Sequence, residues 1–596
     1  MNFKNCKMKQ TFVEKILGGK CGAIVFAAPD IVLTHDNTAS IAGTFQKMNG
    51  TKIANPDQLL IVLDHNAPPT SSTLADDYRK IRSIVKEQGI KKFHDVGKGI
   101  CHQMMSEYAR PGMIIVGSDS HTCTAGAFNA FAAGIDRTES AGLWKQGETW
   151  FRIPESVKIT LTGKLREGVY AKDLALWIIG MIGSAGADYM SIEYHGDGVK
   201  TLSISERMTL ANLASEMGAK NAVFPADEVL ADFLGHKVEG VWADPDATYL
   251  KEITINLADI FPVVAAPHHV DNVKAVSEVE GTVLEQAVIG TCTNGRIEDL
   301  RIAAEILKGN HVPEGFQLLI IPASQKIYLQ AMDEGLIRIF MEAGASVLAP
   351  SCGPCLGTGQ GIPASGINVI STANRNFKGR MGNKETNIYL ASPATVAYSA
   401  LKGCIADPRG SKHGDVFPYP KKQVSTVDVA KDDNRRILNT WNYTDIDNMN
   451  TDAMFAGNLT YSVKSSEPEK ILPHLFAGVD ENFAANVQAG DIVLAGRNFG
   501  CGSSREHPAV GLAHAGVQAV ICKSVNRIFY RSSVNQGLPI LVVPEAVDAY
   551  KPGDKVTVDF KNGIINIDTK TFHFEPLPNK LLGIFEAKGL ANYLKK

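Results

Sequence analysis

The stretch QAVIGTCTNGRIEDLRIAAEIL, residues 286–307, decides the fold. It opens on a short apolar run (Gln286 to Ile289), passes through the loop Gly290-Thr291-Cys292-Thr293-Asn294, and continues with helical periodicity and an acidic first turn. That pattern predicts a strand, a loop and an amphipathic helix. Working outward, the same order of apolar run and polar loop recurs along the chain. Leu59 to Leu63 precedes Asp64-His65, and Met113 to Val116 precedes Gly117-Ser118-Asp119-Ser120-His121. Ser346 to Leu348 leads to Ser351-Cys352-Gly353-Pro354-Cys355, and Ile367 to Ile370 leads to Asn374-Arg375-Asn376. Asp491 to Leu494 leads to GRNFGCGSSREH (496–507). Strands alternating with helical segments predict an α/β fold with parallel sheets. In such sheets ligands bind beyond the carboxyl ends of the strands. Six such loops carrying Cys, Asp-His, Arg and Ser point to one composite site on which separate sheets converge.

The 596 residues suggest about four domains. A polar segment beginning with DPRGSKHGDVFPYPKK (407–422) is read as a linker over 406–440, between a large unit, 1–405, and a smaller one, 441–596. Sixty Lys and Arg against 63 Asp and Glu give a net charge of −3, which argues against a dedicated nucleic-acid or membrane-surface binder. The best apolar run, LALWIIGMIGSAGA (174–187), falls short of the ~20 residues that a bilayer needs. The N-terminus lacks the apolar core of a signal peptide and has Lys but no Arg, so a cytoplasmic protein is expected, with the mitochondrial matrix as the alternative. Ten cysteines in so long a chain make no disulfide scaffold, and clustered cysteines then read as ligands or catalysts.

Cys352 and Cys355 form a CxxC pair, which by itself fits a redox pair, a zinc half-site or two buried thiols. Cys292 sits in a similar strand-to-loop position, and the surroundings are uncharged and Gly-rich. Three thiolates suit a [4Fe–4S] cluster with one iron left open, whereas an electron-transfer cluster takes four and a structural zinc wants a fourth ligand. In GCGSSREH (500–507) a glycine-rich turn presents Ser503, Ser504 and Arg505 ahead of a helical segment. Such a turn offers backbone N–H groups to an anion, and Arg505 can grip a carboxylate. A helix cap would explain the serines alone. Arg375 and Arg380 in NRNFKGR can likewise reach anions. Asp64-His65, His102 and Asp119-Ser120-His121 form an acid–base set, because a carboxylate beside an imidazole fixes its tautomer and supports its charged form. Glu193 in IEYHG is placed with them, as a partner for a metal-bound water.

Taken together these stretches resemble the aconitase superfamily of iron–sulfur hydro-lyases. The resemblance rests on LDH (63–65), CHQ (101–103), GSDSHT (117–122), IEYHG (192–196), GTCTNGRIEDLR (290–301), SCGPCLG (351–357), NRNFKGR (374–380), YLASPATVA (389–397) and NFGCGSSREH (498–507). It is closest in character to 3-isopropylmalate dehydratase and homoaconitase, with the large and small parts fused in one chain. It implies three α/β/α domains around a cluster and a C-terminal swivelling β/α domain. It implies Cys292, Cys352 and Cys355 as cluster ligands and Ser503 as the catalytic base. Asp64, His65, His102, Asp119 and Glu193 are implied as catalytic residues, and Ser120, His121, Arg375, Arg380, Ser504 and Arg505 as substrate-binding. The implied reaction is reversible dehydration and rehydration of a hydroxy di- or tricarboxylic acid. The chain would act as a monomer with no separate small subunit, no membrane and no nucleic acid. RNA binding by a cluster-free form is a second implied possibility, against which the near-neutral charge argues. The small-domain start Asn448-Met449-Asn450-Thr451-Asp452 fits the family, but the following loop AMFAGNLTYSV (453–463) has Asn458 about where relatives often carry an arginine. That departure favours a neutral or small distal group on the substrate.

Overall fold

The computed structural model describes residues 9–410, 413–419, 435–456, 459, 463–465, 467–502 and 505–595. The first sheet has five parallel strands, Lys92–His94, Leu59–Val62, Ile31–Thr34, Ile114–Gly117 and Phe131–Gly134 in spatial order. Leu59–Val62 reads Leu-Leu-Ile-Val and is buried at every position, the continuous apolar pattern of a strand covered on both faces. A second parallel sheet holds Asn221–Val223, Ser191–His195, Ser156–Thr162 and Lys251–Asn256. The third has seven strands; its parallel part runs Asn387–Leu390, Asn368–Ser371, Gln286–Gly290, Gln317–Ile321 and Ala345–Val347. The expected helix after Cys292 spans Ile297–Leu307, with Glu298 and Asp299 in its first turn.

The apolar run at 174–187 enters the core with residues 174–179. It forms the helix Ala171–Ile182, which stops at Gly183, where φ is +85°. Twelve residues at ~1.5 Å each reach about 18 Å, well short of a bilayer core. No helix among the described residues is long and apolar enough to cross a membrane.

The C-terminal unit has its own sheet, Arg436–Ile437, Thr440–Tyr443, Ile492–Ala495, Ala519–Cys522 and Ile540–Val542, parallel except at the first pair. A three-stranded antiparallel sheet follows it. The segment expected as a linker over 406–440 is packed at both ends. Arg409 pairs with Asp407 and Asp415, and Phe417 is buried against Trp177 of the large unit. Arg436–Ile437 already belongs to the C-terminal sheet, which therefore begins before 441. The two units share one apolar cluster: Trp150 and Tyr189 of the large unit pack with Trp441, Phe529 and Tyr530.

Candidate active site

The loops at the carboxyl ends of the first sheet set the acid–base groups. Asp36, just past Ile31–Thr34, accepts the backbone N–H groups of Asp64 at 3.0 Å, His65 at 3.2 Å and Asn66 at 2.8 Å, and the Tyr78 hydroxyl at 2.6 Å. This brace holds the turn on which Asp64 Oδ1 meets His65 Nδ1 at 2.7 Å. The backbone N–H of Cys101 donates to Asp64 Oδ2 at 2.7 Å. The His35 ring stacks on that of His65, centroids 3.8 Å apart. Asp119 Oδ1 lies 2.7 Å from His102 Nε2 and accepts the His121 backbone N–H at 2.8 Å. His65 Nε2 stands 3.5 Å from Asp119 Oδ2, so the two Asp–His pairs form one chain.

Burial alone would raise the Asp119 carboxyl, yet bonds and charge from His102 and bonds from His121 and His65 hold it well below the usual carboxylate range. Asp64 is likewise lowered against the effect of burial, chiefly by His65. Burial pulls His65 down, but Cys352, Asp64 and Asp119 together raise it well above the ordinary imidazole value. His35, buried and facing His65, falls to about 4 and stays neutral.

The third sheet contributes the arginine and the cysteines. Arg375, beyond Asn368–Ser371, sends Nη2 to Ser120 Oγ at 3.1 Å and Nε to both Glu216 oxygens at 2.9 and 3.0 Å. Glu216 Oε1 also lies 2.8 Å from His121 Nε2. Cys292 follows a turn at Gly290 (φ +137°), where a Cβ would stand 2.2 Å from the Ile321 carbonyl oxygen. The ring nitrogens of His102 and His121 and the Cys292 sulfur all lie within 4.8 Å of one another. Cys352 donates its backbone N–H to the Asp64 carbonyl at 3.2 Å. Cysteine loop and acid–base loops therefore share one site.

Cys292, Cys352 and Cys355 are free thiols. Asn212 and Asn374 donate side-chain N–H groups to Cys292 Sγ at 3.4 and 3.3 Å, and Arg380 Nη2 donates to Cys355 Sγ at 3.6 Å. The loop carrying Cys355 turns at Gly357 (φ +80°), where a Cβ would stand 2.6 Å from Gly382 N; this closeness brings the Arg380 loop against it. Burial and the neighbouring thiols push Cys292 up, and burial pushes Cys352 up to about 12. Three thiols in one Gly-rich neighbourhood, with N–H donors on Cys292 and Cys355, are a donor set that fits a cationic iron cluster.

A cavity of about 710 Å³ opens from this site between the two units. Glu216, Arg375, Arg527, His268 and Lys378 are among the residues that line it. Cys501 and Gly502 lie on its wall, so the GCGSSREH turn borders the cavity; Ser503, Ser504 and Asn458 lie outside the described residues. Arg505 donates to the Phe455 carbonyl at 3.1 Å. Arg380 faces Cys355 and lies over the ring of Phe377, which lines the cavity.

Glu193 does not join the site. Its strand, Ser191–His195, turns the carboxylate toward the N-terminal helix, where it accepts the Phe12 backbone N–H and the Tyr249 hydroxyl, both at 2.8 Å. Glu216 lies beside the acid–base loop instead, against His121 and Arg375. The signal in the sequence was a lone charge within the apolar stretch LANLASEMGA (210–219), four residues after Asn212. That spacing lets both end up beside the site, Asn212 on Cys292 and Glu216 on Arg375.

The profile of the Aconitase family (aconitate hydratase) matches residues 8–283 and 274–403, and that of the Aconitase C-terminal domain matches 419–546. A 3-isopropylmalate dehydratase large subunit of Methanopyrus kandleri is 45% identical over 67% of this chain and 99% of its own length. A probable methanogen homoaconitase large subunit of Methanosarcina mazei is 48% identical over 65% of this chain and all of its own. Among solved structures, a 3-isopropylmalate dehydratase of Methanocaldococcus jannaschii matches 25% of this chain and 87% of that one, with 40% identity and a TM-score of 0.23. The chain is an enzyme of the hydro-lyase type and belongs to the aconitase family, with that family's C-terminal domain in the same polypeptide.

Proposed function

We propose that this chain catalyses the reversible dehydration and rehydration of a hydroxy di- or tricarboxylic acid, with 3-isopropylmalate as the leading substrate. Aconitate, homoaconitate and methylmalate-type acids are the alternatives. The observation that carries this reading is that two joined Asp–His pairs, bonded or close to the loops of Cys292 and Cys352, meet an Arg375–Glu216 pair that lines the cavity. Relatives named 3-isopropylmalate dehydratase and homoaconitase support it.

Cys292, Cys352 and Cys355 would hold a [4Fe–4S] cluster, which supplies a Lewis-acidic iron for a substrate oxygen. Arg375, held by Glu216, would take a substrate carboxylate in the cavity. His102 and His65, each on a carboxylate, would hold the proton that leaves or returns with the hydroxyl. Ser503 would accept the proton beside the carboxylate, and Ser504 and Arg505 would bind substrate. Arg380, beside Cys355 and over the cavity-lining Phe377, would bind substrate on the cysteine side. We propose further that residues up to about 419 form the cluster-binding unit and that the C-terminal unit closes the cavity. On this reading no separate small subunit is needed: the large-subunit relatives leave about a third of this chain unmatched, and the C-terminal domain profile falls within one polypeptide.

The test is an anaerobic assay of the iron-reconstituted chain alone. It follows ultraviolet absorbance of the unsaturated product with 3-isopropylmalate, citrate, homoisocitrate, citramalate and 2,3-dimethylmalate. Turnover of 3-isopropylmalate, lost in Ser503→Ala, is expected. Silence on the whole panel with an intact cluster would overturn the reading. Activity that appears only when a separate small subunit is added would overturn the single-chain part.

A further inference from the structure

Arg527 opens the helix Arg527–Asn535 of the C-terminal unit, yet its guanidinium is buried against the large unit. Nη2 donates to the Ser120 carbonyl at 2.7 Å and to Ser215 Oγ at 2.8 Å. Ser215 Oγ itself donates to the same Ser120 carbonyl at 3.2 Å. Among the described residues these neutral oxygens are the partners of the guanidinium, and its Nη1 has none. The strand Phe131–Gly134 ends beneath it without a side chain. A Cβ at Gly134 would stand 3.3 Å from Nη1 and 2.7 Å from the Asp119 carbonyl.

Arg527 is 3% exposed and, among the described residues, no carboxylate bonds its guanidinium, so two neutral acceptors offset its desolvation only in part. What the arrangement provides is position. Ser120 lies between Asp119, which holds His102, and His121, which holds Glu216; its own hydroxyl accepts from Arg375. A donor on the Ser120 carbonyl therefore acts on the turn that carries the acid–base residues. That donor arrives only when the C-terminal unit is seated.

We infer that Arg527 is a positioning residue: it couples the seating of the C-terminal unit to the alignment of the Asp119-Ser120-His121 turn. The kinetic arm of its test rests on the hydro-lyase reading above; the structural arm does not. In the reconstituted full chain, Arg527→Met and Arg527→Lys are compared by hydrogen exchange over 117–124 and over the strand 286–290. Arg527→Met is expected to raise exchange over 117–124 by about tenfold, the worth of a hydrogen bond from a charged donor. The strand 286–290 keeps its protection, and Arg527→Lys restores part of the loss. With substrate, kcat falls by about 10²-fold, as for a slight misplacement of catalytic groups, while KM moves much less. Free guanidinium restores part of the rate to Arg527→Met.

Unchanged exchange over 117–124, or an equal rise in both regions, overturns the inference. If Arg527→Met does not fold, Ser215→Ala removes one of the two acceptors and is held to the same exchange criterion. An inactive wild-type chain would sink the proposed function and leave the exchange comparison to decide the role of Arg527.

Discussion

The carboxylate of Glu216 faces the guanidinium of Arg375 with both oxygens, at 2.9 and 3.0 Å from Nε. Burial alone would raise this carboxyl. The Arg375 charge and the bond from His121 instead bring it down to about 2. An ionised, buried carboxylate thus holds an arginine and a histidine beside the cavity.

Glu216→Gln should lower kcat/KM by about 10²-fold, because Arg375 loses its charged partner and His121 its acceptor. Glu193→Gln should leave kcat within about twofold and cost ~1–3 kcal/mol of stability, since it disturbs a buried clasp on Phe12 and Tyr249. Steady-state kinetics beside thermal unfolding separate the two; equal kinetic losses would return Glu193 to the site.

Replacing Cys292 or Cys355 by Ser should lower the iron and sulfide retained after reconstitution and remove the visible absorption of the cluster. Asn374→Leu keeps all three sulfurs but removes a donor on Cys292. It should speed iron loss to a chelator by about 10-fold or more, the usual worth of a ligand's outer partner. Full iron content in Cys292→Ser would exclude it as a ligand.

Asp188 Oδ2 accepts from Ser524 Oγ at 3.2 Å across the two units, and its Oδ1 has no partner among the described residues. Burial raises this carboxyl to about 7, against the bond from Ser524 and the charge of Arg527. Its unfolded value is about 4, so the folded chain holds a proton that the unfolded chain has lost. Stability from this group is full below about 4, falls as pH rises, and is gone above about 7. Denaturation midpoints should therefore drop from pH 5 to 8, and Asp188→Asn should flatten that slope. A variant with the wild-type slope would remove Asp188 from the account.

Arg531 of the C-terminal unit pairs with Glu139 of the large unit, Nε to Oε2 at 2.9 Å, and also donates to the Trp150 carbonyl. Both side chains are almost wholly buried. Arg531→Met leaves a buried carboxylate unpaired and should cost ~3–5 kcal/mol in urea denaturation. The double variant Arg531→Met with Glu139→Leu should recover most of that, because both charges are then gone.

The periodicity around Cys292, Asp64, Asp119 and Arg375 is local: each follows an apolar strand by a few residues, so fold class and most of the site could be read from the chain itself. The three cysteines were legible for the same reason. Glu216 was not, because its worth lies in bonds to residues 95 and 159 positions away, and a lone acid in an apolar stretch carries no direction. Which way Glu193 points was not legible either, because the face a strand residue takes depends on what packs on each side. Phe417 and Arg436, within the stretch read as a linker, find their partners only in the folded units. Arg527 reads as one basic residue at a helix start, and only the docking of two units places its guanidinium on Ser120. Short-range patterning selects elements and the loops that end them. Which buried charges meet is decided by long-range packing, where the cost of desolvation leaves each polar group dependent on the few partners the tertiary fold brings to it.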